Sequence, residues 1–385
     1  MTGTRSWRAN LAAILFGCVL ALVAGELVLR WFWPQRSAVT LGMFRADPDA
    51  GYSLLPEYRN VVRVPEFTTV VRIDGEGYRV ADESKPVPEG VRRILAIGDS
   101  FTFGVGVDAE ATYAAQLESI LQESGAAPVA VRNGGVGGYG PLRSERRFLA
   151  AQSAWKPEVV IHGIYLGNDL EDSRPHDFLA FPSIEDGRMT RPGHHPLARI
   201  RTALRVHSHL YCFLRERLYG IYRATPLAAR SQRLDPIGLS EWPASIVEGS
   251  WPAGQEAMSN LADWARENDA LYVVVLIPIK YQIVDSAWDA YRRRWKLPDK
   301  AFDRERPQHV VREFLDGQGI AYVDLLPPFR ASSEDLYYRV DNHWTAAGHA
   351  AAARILAEKL RERGWLPPAH SAADVARAAQ RASNF

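Results

Sequence analysis

The stretch Ile94-Leu-Ala-Ile-Gly-Asp-Ser-Phe-Thr-Phe-Gly104 decides how this chain is read. Four consecutive apolar residues, bounded by a glycine, make a short buried strand. The strand runs into Gly98-Asp99-Ser100, so Ser100 falls at its carboxyl end, where open α/β sheets bind their ligands. That is a place for a nucleophile. A serine hydroxyl is weak at its free pKa, so the chemistry also demands an imidazole base, a group that orients it, and donors for an oxyanion. Taken alone, Gly-Asp-Ser is more often a turn.

The other half of the requirement lies near the carboxyl end, in Leu336-Tyr-Tyr-Arg-Val-Asp-Asn-His-Trp-Thr-Ala-Ala-Gly-His349. Asp341 and His343 are two residues apart, close enough in an extended loop for the carboxylate to accept from the imidazole Nδ1–H. Thr345 is a plausible N-cap for a helix over residues 346–363, whose apolar positions include Ala352, Ile355, Leu356 and Leu360, with Gly364 just past its end. A lone histidine is more often structural; an Asp-x-His loop fastened to a capped helix and matched by a serine at a strand end is a rarer coincidence.

Outward from residue 94 the pattern repeats. Short apolar runs at 94–97, 129–132, 159–164, 271–277 and 320–323 alternate with amphipathic stretches at 109–123, 142–154 and 257–267. Strands alternating with helices predict a doubly wound parallel α/β sheet. Residues 37–90 read as a linker and a small β extension, with strands at 60–64 and 69–73 and turn chemistry in Asp74-Gly75-Glu76-Gly77. The interval 171–251 is too long for an ordinary crossover and predicts an insertion with a helix over 198–222. Its Arg201, Arg205, Arg215 and Arg217, with His207 and His209, make either a substrate- or membrane-facing lid or, more commonly for such runs, a solvated helix face. His194 and His195 lack a Cys or carboxylate at ligand spacing, so neither a metal site nor a cofactor is expected.

Four segments together carry a specific resemblance. Gly98-Asp-Ser-Phe101, Asn133-Gly-Gly-Val-Gly-Gly-Tyr-Gly140, Leu166-Gly-Asn-Asp-Leu170 and Asp341-Asn-His343 resemble, in order, the four blocks of the SGNH (GDSL-like) serine hydrolases. The resemblance implies a flavodoxin-like three-layer α/β/α domain over residues 91–366. It also implies roles: Ser100 as nucleophile and, through its N–H, first oxyanion donor; Gly138 N–H as second; the Asn168 side chain as third; His343 as base and Asp341 as its orienter. This chain departs from the pattern at Phe101, where the family has leucine, and at Gly167, which directly precedes Asn168. Gly77-Tyr78-Arg79, Pro278-Ile-Lys-Tyr-Gln282 and Leu336-Tyr337 resemble membrane-anchored members associated with bacterial surface polysaccharides. That second likeness implies an acylated carbohydrate substrate and polysaccharide-export machinery as a partner. A lipid- or thioester-directed hydrolase and a non-catalytic polysaccharide-assembly protein are the alternatives.

The amino terminus places the enzyme. From residue 11 to 29 the only ionisable side chain is Glu26, and at about 1.5 Å per residue a helix here covers most of a ~30 Å hydrocarbon layer. Arg5 and Arg8 precede the run and Trp31-Phe32-Trp33 close it, which predicts an inner-membrane span through residues 11–33 with the N-terminus cytoplasmic and the rest periplasmic. Residues 1–36 are then tip and anchor, and 367–385 a tail. A signal peptide cleaved after Val23-Ala24-Gly25 is the rival, and a lipoprotein at Cys18 a weaker one, because Phe16 is bulky. Glu26 reads as a carboxylate reaching headgroups. The chain has 46 Lys and Arg against 45 Asp and Glu, a net charge of +1, so nothing calls for a nucleic-acid partner. Cys18 and Cys212 imply no disulfide framework.

Overall fold

The computed structural model describes residues 3–33, 42–63, 66–82, 87–88, 90–123, 128–173, 183–185, 188–190, 200, 204, 208–223, 250–295, 303–339 and 341–366. The chain divides into two compact units, residues 1–39 with 193–233, and residues 40–192 with 234–385. The first contains α1 (Gly3–Phe32) and, far along the sequence, α6 (His209–Arg223). Within α1, Ala9–Phe32 is long and apolar enough to cross a membrane. His194, His195, Arg201, Arg205 and His207, with the 367–385 tail, lie outside the described residues.

The second unit opens with two antiparallel pairs, β1 (Phe44–Asp47) with β2 (Gly51–Leu54) and β3 (Arg59–Arg63) with β4 (Thr68–Arg72). The β3–β4 pair falls within a residue of the expected strands. The β1–β2 pair falls where a linker was expected, because Phe44-Arg-Ala-Asp47 shows no run of β-formers. Local polar chemistry makes that turn instead: Asp47 Oδ1 accepts from the N–H groups of Asp49 (3.1 Å) and Ala50 (2.9 Å).

The central sheet has five parallel strands in the order β11 (Ala321–Asp324), β10 (Leu271–Ile277), β7 (Val159–Tyr165), β5 (Arg92–Gly98), β6 (Val129–Asn133). This is the flavodoxin-like order, and every strand overlaps one read from an apolar run. Between β7 and β10 a short antiparallel pair, β8 (Ser183–Glu185) with β9 (Arg188–Thr190), interrupts the winding. With this strand order, the right-handed crossover rule for parallel strands assigns α3 (Tyr113–Glu123) to one face of the sheet and α4 (Pro141–Ala150), α7 (Trp251–Glu267) and α10 (Arg306–Gln318) to the other. Packing agrees: α3 lies against α12 (Ala346–Glu362), and α4 against α7. Short helices decorate the carboxyl ends of the strands: α2 (Ser100–Phe103), α5 (Asp169–Asp172), α8 (Lys280–Ile283) and α11 (Leu326–Ala331), with α9 (Asp285–Trp295) following α8.

Helix ends differ from the apolar periodicity where a side chain caps or the backbone turns. The 109–123 stretch divides at Thr112, which has extended backbone, into a 3-10 turn and α3. The 142–154 stretch likewise ends its α-helix at Ala150. The α12 start is as expected, with Thr345 Oγ1 accepting from Gly348 N–H at 3.3 Å.

One buried cation fastens the extension to the sheet. Arg79, 4 % exposed, donates through Nη1 to the carbonyls of Phe103 (2.7 Å) and Gly104 (2.5 Å) and through Nη2 to that of Val107 (2.5 Å). These carbonyls close the turn that follows Ser100. Burial lowers the Arg79 pKa to about 10, still well above neutrality, so the cation persists. Arg79→Leu takes away the donor of the Phe103 carbonyl, while the Val107 carbonyl keeps the Thr69 hydroxyl (2.7 Å) and the Gly104 carbonyl a long contact from Val107 N–H (3.4 Å). Its expected cost is about 2–4 kcal/mol of folding stability, measured by urea denaturation.

Candidate active site

The turn that carries Ser100 is built from backbone constraint. Gly98 ends β5 with φ +141°, and a Cβ there would strike the Gly163 carbonyl of β7 and the Thr102 hydroxyl, so this position takes only glycine. Asp99 then caps α2, its carboxylate accepting from Phe101 N–H at 2.8 Å. Gly104 closes the helix in the left-handed region and donates its N–H to the Ser100 carbonyl at 3.0 Å. Ser100 is left at the first helical position, partly open to solvent, at the carboxyl end of a central strand.

Across the sheet edge the loop before α12 brings up Asp341 and His343. His343 Nδ1 lies 2.6 Å from Asp341 Oδ1, and His343 Nε2 lies 2.8 Å from Ser100 Oγ. With Asp341 accepting from Nδ1–H, Nε2 is the acceptor for the serine proton. The same hydroxyl is 3.2 Å from Asp99 Oδ2, so one proton has two acceptors and the shorter contact goes to the imidazole. The ring of His343 rests on Phe101, with centroids 5.0 Å apart.

The loop is held at both ends and in the middle. Tyr338 N–H donates to the His343 carbonyl and Thr345 N–H to that of Leu336, both at 3.0 Å, and Trp344 is fully buried. Lys280, at the start of α8, donates to the carbonyls of Tyr338 (2.6 Å) and Arg339 (2.7 Å). Glu66, from the segment between β3 and β4, accepts from Asp341 N–H at 2.6 Å.

Charge differs sharply among the carboxyl groups. Partial burial works to raise the Asp341 pKa, but hydrogen bonds from the His343 ring and N–H, with the His343 and Lys280 charges, outweigh it and hold Asp341 below the usual carboxylate range. Asp99 goes the other way: complete burial pushes it up to about 6, against the hydrogen bonds from Phe101 and Ser100 and the pull of His343. Burial and the neighbouring Asp99 and Asp172 carboxylates lift Asp169 well above its ordinary value.

The remaining expected donors stand in two different situations. Val136 O accepts from Tyr139 N–H at 3.1 Å, and Gly138 inside that turn has φ +80°. The turn abuts the serine, since a Cβ on Gly137 would lie 3.9 Å from Ser100 Cβ. Tyr52 of β2 supports it from behind by donating to the Gly137 carbonyl at 2.9 Å. Asn168 precedes α5, and its Nδ2 donates to the Asp172 carboxylate. An oxyanion would use the second N–H of that amide.

A model of the GDSL-like lipase/acylhydrolase family matches residues 96–351, well over half of the chain and spanning every residue of this constellation except Glu66 and Tyr52. The chain belongs to that family. Its members are enzymes of ester bonds, and this chain is an esterase-family hydrolase. Solved structures similar to it include a lipolytic protein of the G-D-S-L family from Desulfitobacterium hafniense (15% identity, 69% of this chain and 98% of that one, TM-score 0.36). Others are a lipase/acylhydrolase from Enterococcus faecalis (12%, 73% and 100%, 0.40) and an acetylxylan esterase from Geobacillus stearothermophilus (14%, 70% and 93%, 0.38). No curated protein matches.

Glu66, Lys280, Tyr52 and the buried Asp99–Asp169 pair join the site through contacts distant in sequence. Lys280 does sit in the Pro278-Ile-Lys-Tyr-Gln282 segment, but a lysine after a strand carries no local signal of its target, which lies 58 residues on.

Two outcomes follow from these contacts. Between pH 4 and 6 the folded state keeps a proton on Asp99 that the unfolded chain, with an ordinary pKa of 3.8, has released. Stability therefore falls as pH rises through that window, and Asp99→Asn should flatten the fall in thermal midpoints measured from pH 4 to 6. Lys280→Met should lower kcat on a small aryl ester about tenfold with little change in KM, because it loosens the His343 loop and leaves substrate contacts alone. Lys280→Arg should recover part of the loss.

Proposed function

We propose that this hydrolase is a membrane-anchored, extracytoplasmic serine esterase or O-acyltransferase that acts on acyl groups, chiefly acetyl, carried by a carbohydrate or surface polysaccharide. The single observation that carries the chemistry is the unbroken hydrogen-bond chain Asp341–His343–Ser100, at 2.6 and 2.8 Å. In this reading Ser100 Oγ attacks the ester carbonyl while its proton passes to His343 Nε2, and Asp341 stabilises the imidazolium. The carbonyl oxygen, now negative, accepts from the N–H groups of Ser100 and Gly138 and from Asn168. Collapse expels the sugar alkoxide, which takes the proton from His343 and leaves the acyl group on Ser100. Water, or a second sugar hydroxyl, then gives its proton to His343 and attacks the acyl-enzyme, regenerating Ser100. Hydrolysis and transfer share every residue and differ only in the acceptor.

The carbohydrate part of the reading is supported by the likeness of residues 77–79, 278–282 and 336–337 to polysaccharide-associated members. The site's partial exposure also suits a bulky acyl carrier, with Asp341 and His343 side chains 34 % and 25 % exposed. The placement is supported by the apolar Ala9–Phe32 helix with Arg5 and Arg8 before it. The hydrolase domain is then residues 91–366, following an extension at 37–90 and the anchor at 1–36.

Incubating the full-length protein with aryl acetate, butyrate and octanoate, with and without oligosaccharide acceptors, tests the reading by mass spectrometry of released and transferred acyl groups. Acetate should be preferred. Ser100→Ala and His343→Ala should each lower turnover by about three orders of magnitude or more while leaving the thermal midpoint nearly unchanged. Turnover by Ser100→Ala at the wild-type rate would end the covalent-serine reading, and preference for octanoate would redirect the substrate to lipids.

A further inference from the structure

Glu26 is the one ionisable residue in the apolar stretch 11–29, and the structure gives it a partner that the sequence did not suggest. Its carboxylate accepts from the Ser208 hydroxyl (2.9 Å) and from the backbone N–H groups of His209 (3.0 Å) and Leu210 (2.9 Å). These are orphan donors at the start of α6, the helix of the insertion. A carboxylate 183 residues away in sequence thus supplies the N-terminal cap of a second helix. Ser208 completes the cap by accepting from Tyr211 N–H at 3.0 Å. Arg30, one turn on, pairs with Glu26 at 3.1 Å.

The contact continues along one face of α1. Gly25 is small enough to admit the Leu210 side chain, which would lie 3.6 Å from a Cβ placed there. Trp33, two turns further, meets Phe213 with centroids 6.1 Å apart. On α6 the Cys212 side chain is buried, whereas Leu214 and Leu218 are exposed, the latter to 63 %. Arg217 spreads over the Phe213 ring at 5.1 Å. Because Glu26 and Trp33 bracket the outer end of the span, α6 starts at that same depth. Exposed leucines beside tyrosine and arginine are then the composition of a helix lying in the lipid–water interface.

We propose that α6 docks on the membrane anchor through Glu26 and rests its exposed leucines on the lipid surface, so that the insertion is a second membrane-contacting element. The proposal rests on the anchor reading: cleavage after Gly25 would leave Glu26 at a chain end and remove the helix face against which Leu210 packs. The chain passes between the two units at 39–40, 192–193 and 233–234. Docking of α6 thereby joins the hydrolase unit to the membrane through the insertion as well as through the amino-terminal link.

The test uses the full-length protein with Cys18→Ser and Cys212→Ala, in membranes and in 3:1 phosphatidylethanolamine:phosphatidylglycerol vesicles. Gly25→Cys with Leu210→Cys should be joined by a short bifunctional maleimide, with the linked peptides identified by mass spectrometry. Adding Glu26→Ala should cut the linked fraction about 5- to 30-fold, the worth of a helix cap, while membrane retention is kept. A fluorophore on Leu218→Cys should be quenched by doxyl-labelled lipid in the vesicles. Retained residues 1–33 with no linkage, or linkage indifferent to Glu26→Ala, would overturn the docking alone. Linkage without quenching would overturn the lipid contact. A mature protein lacking residues 1–25 would overturn the anchor reading and the docking with it.

Discussion

The close passage of Gly98 against the Gly163 carbonyl is the constraint on which the site depends. A strand that must end at the middle of a sheet and turn at once into a helix has no room for a side chain at the turn, since the neighbouring strand's backbone occupies that space. Glycine at 98 lets β5 lie flush with β7 and still rotate to φ +141°. The reward is that Asp99 can cap α2 and Ser100 stands clear of the strand. Replacing the bare backbone by any side chain would push β5 from β7 or swing Ser100 away from His343, and the 2.8 Å contact tolerates neither.

The small β extension is part of the site's scaffold. From β2, Tyr52 donates to the Gly137 carbonyl and so steadies the glycine turn beside the serine. From the β3–β4 connection, Glu66 receives the Asp341 N–H. From the segment after β4, Arg79 ties the carbonyls that follow α2. Three pieces of one extension thus reach the three loops that bear Gly138, Asp341 and Ser100. Each contact pairs a side chain with backbone, which fixes where a loop lies without dictating what its side chains do.

Buried carboxyl groups near the serine set the local electrostatics. Asp99 and Asp169 are both driven toward the protonated form by burial, while Asp341, given donors and a nearby cation, is driven the other way. That separation leaves Asp341 as the carboxylate suited to face an imidazolium. Lys280 contributes twice, as a charge toward Asp341 and as a clamp on the loop carbonyls.

By itself the sequence determined the order of the five strands' appearance, the placement of Ser100 at a strand end, the Asp341–His343 pair before a Thr345-capped helix, and an apolar helix at the amino terminus. Each of these is a local signal, carried by apolar periodicity, capping or turn chemistry in one continuous stretch. The four-block resemblance also implied a flavodoxin-like sheet and a Ser100–His343 pair, whereas tertiary structure alone decided their distance and that Tyr52, Glu66 and Lys280 support the loops around them. It alone decided that Glu26 caps α6. The side-chain contacts join positions 58 to 275 residues apart, and no local pattern encodes the partner of a side chain whose hydrogen bond closes only in the folded chain.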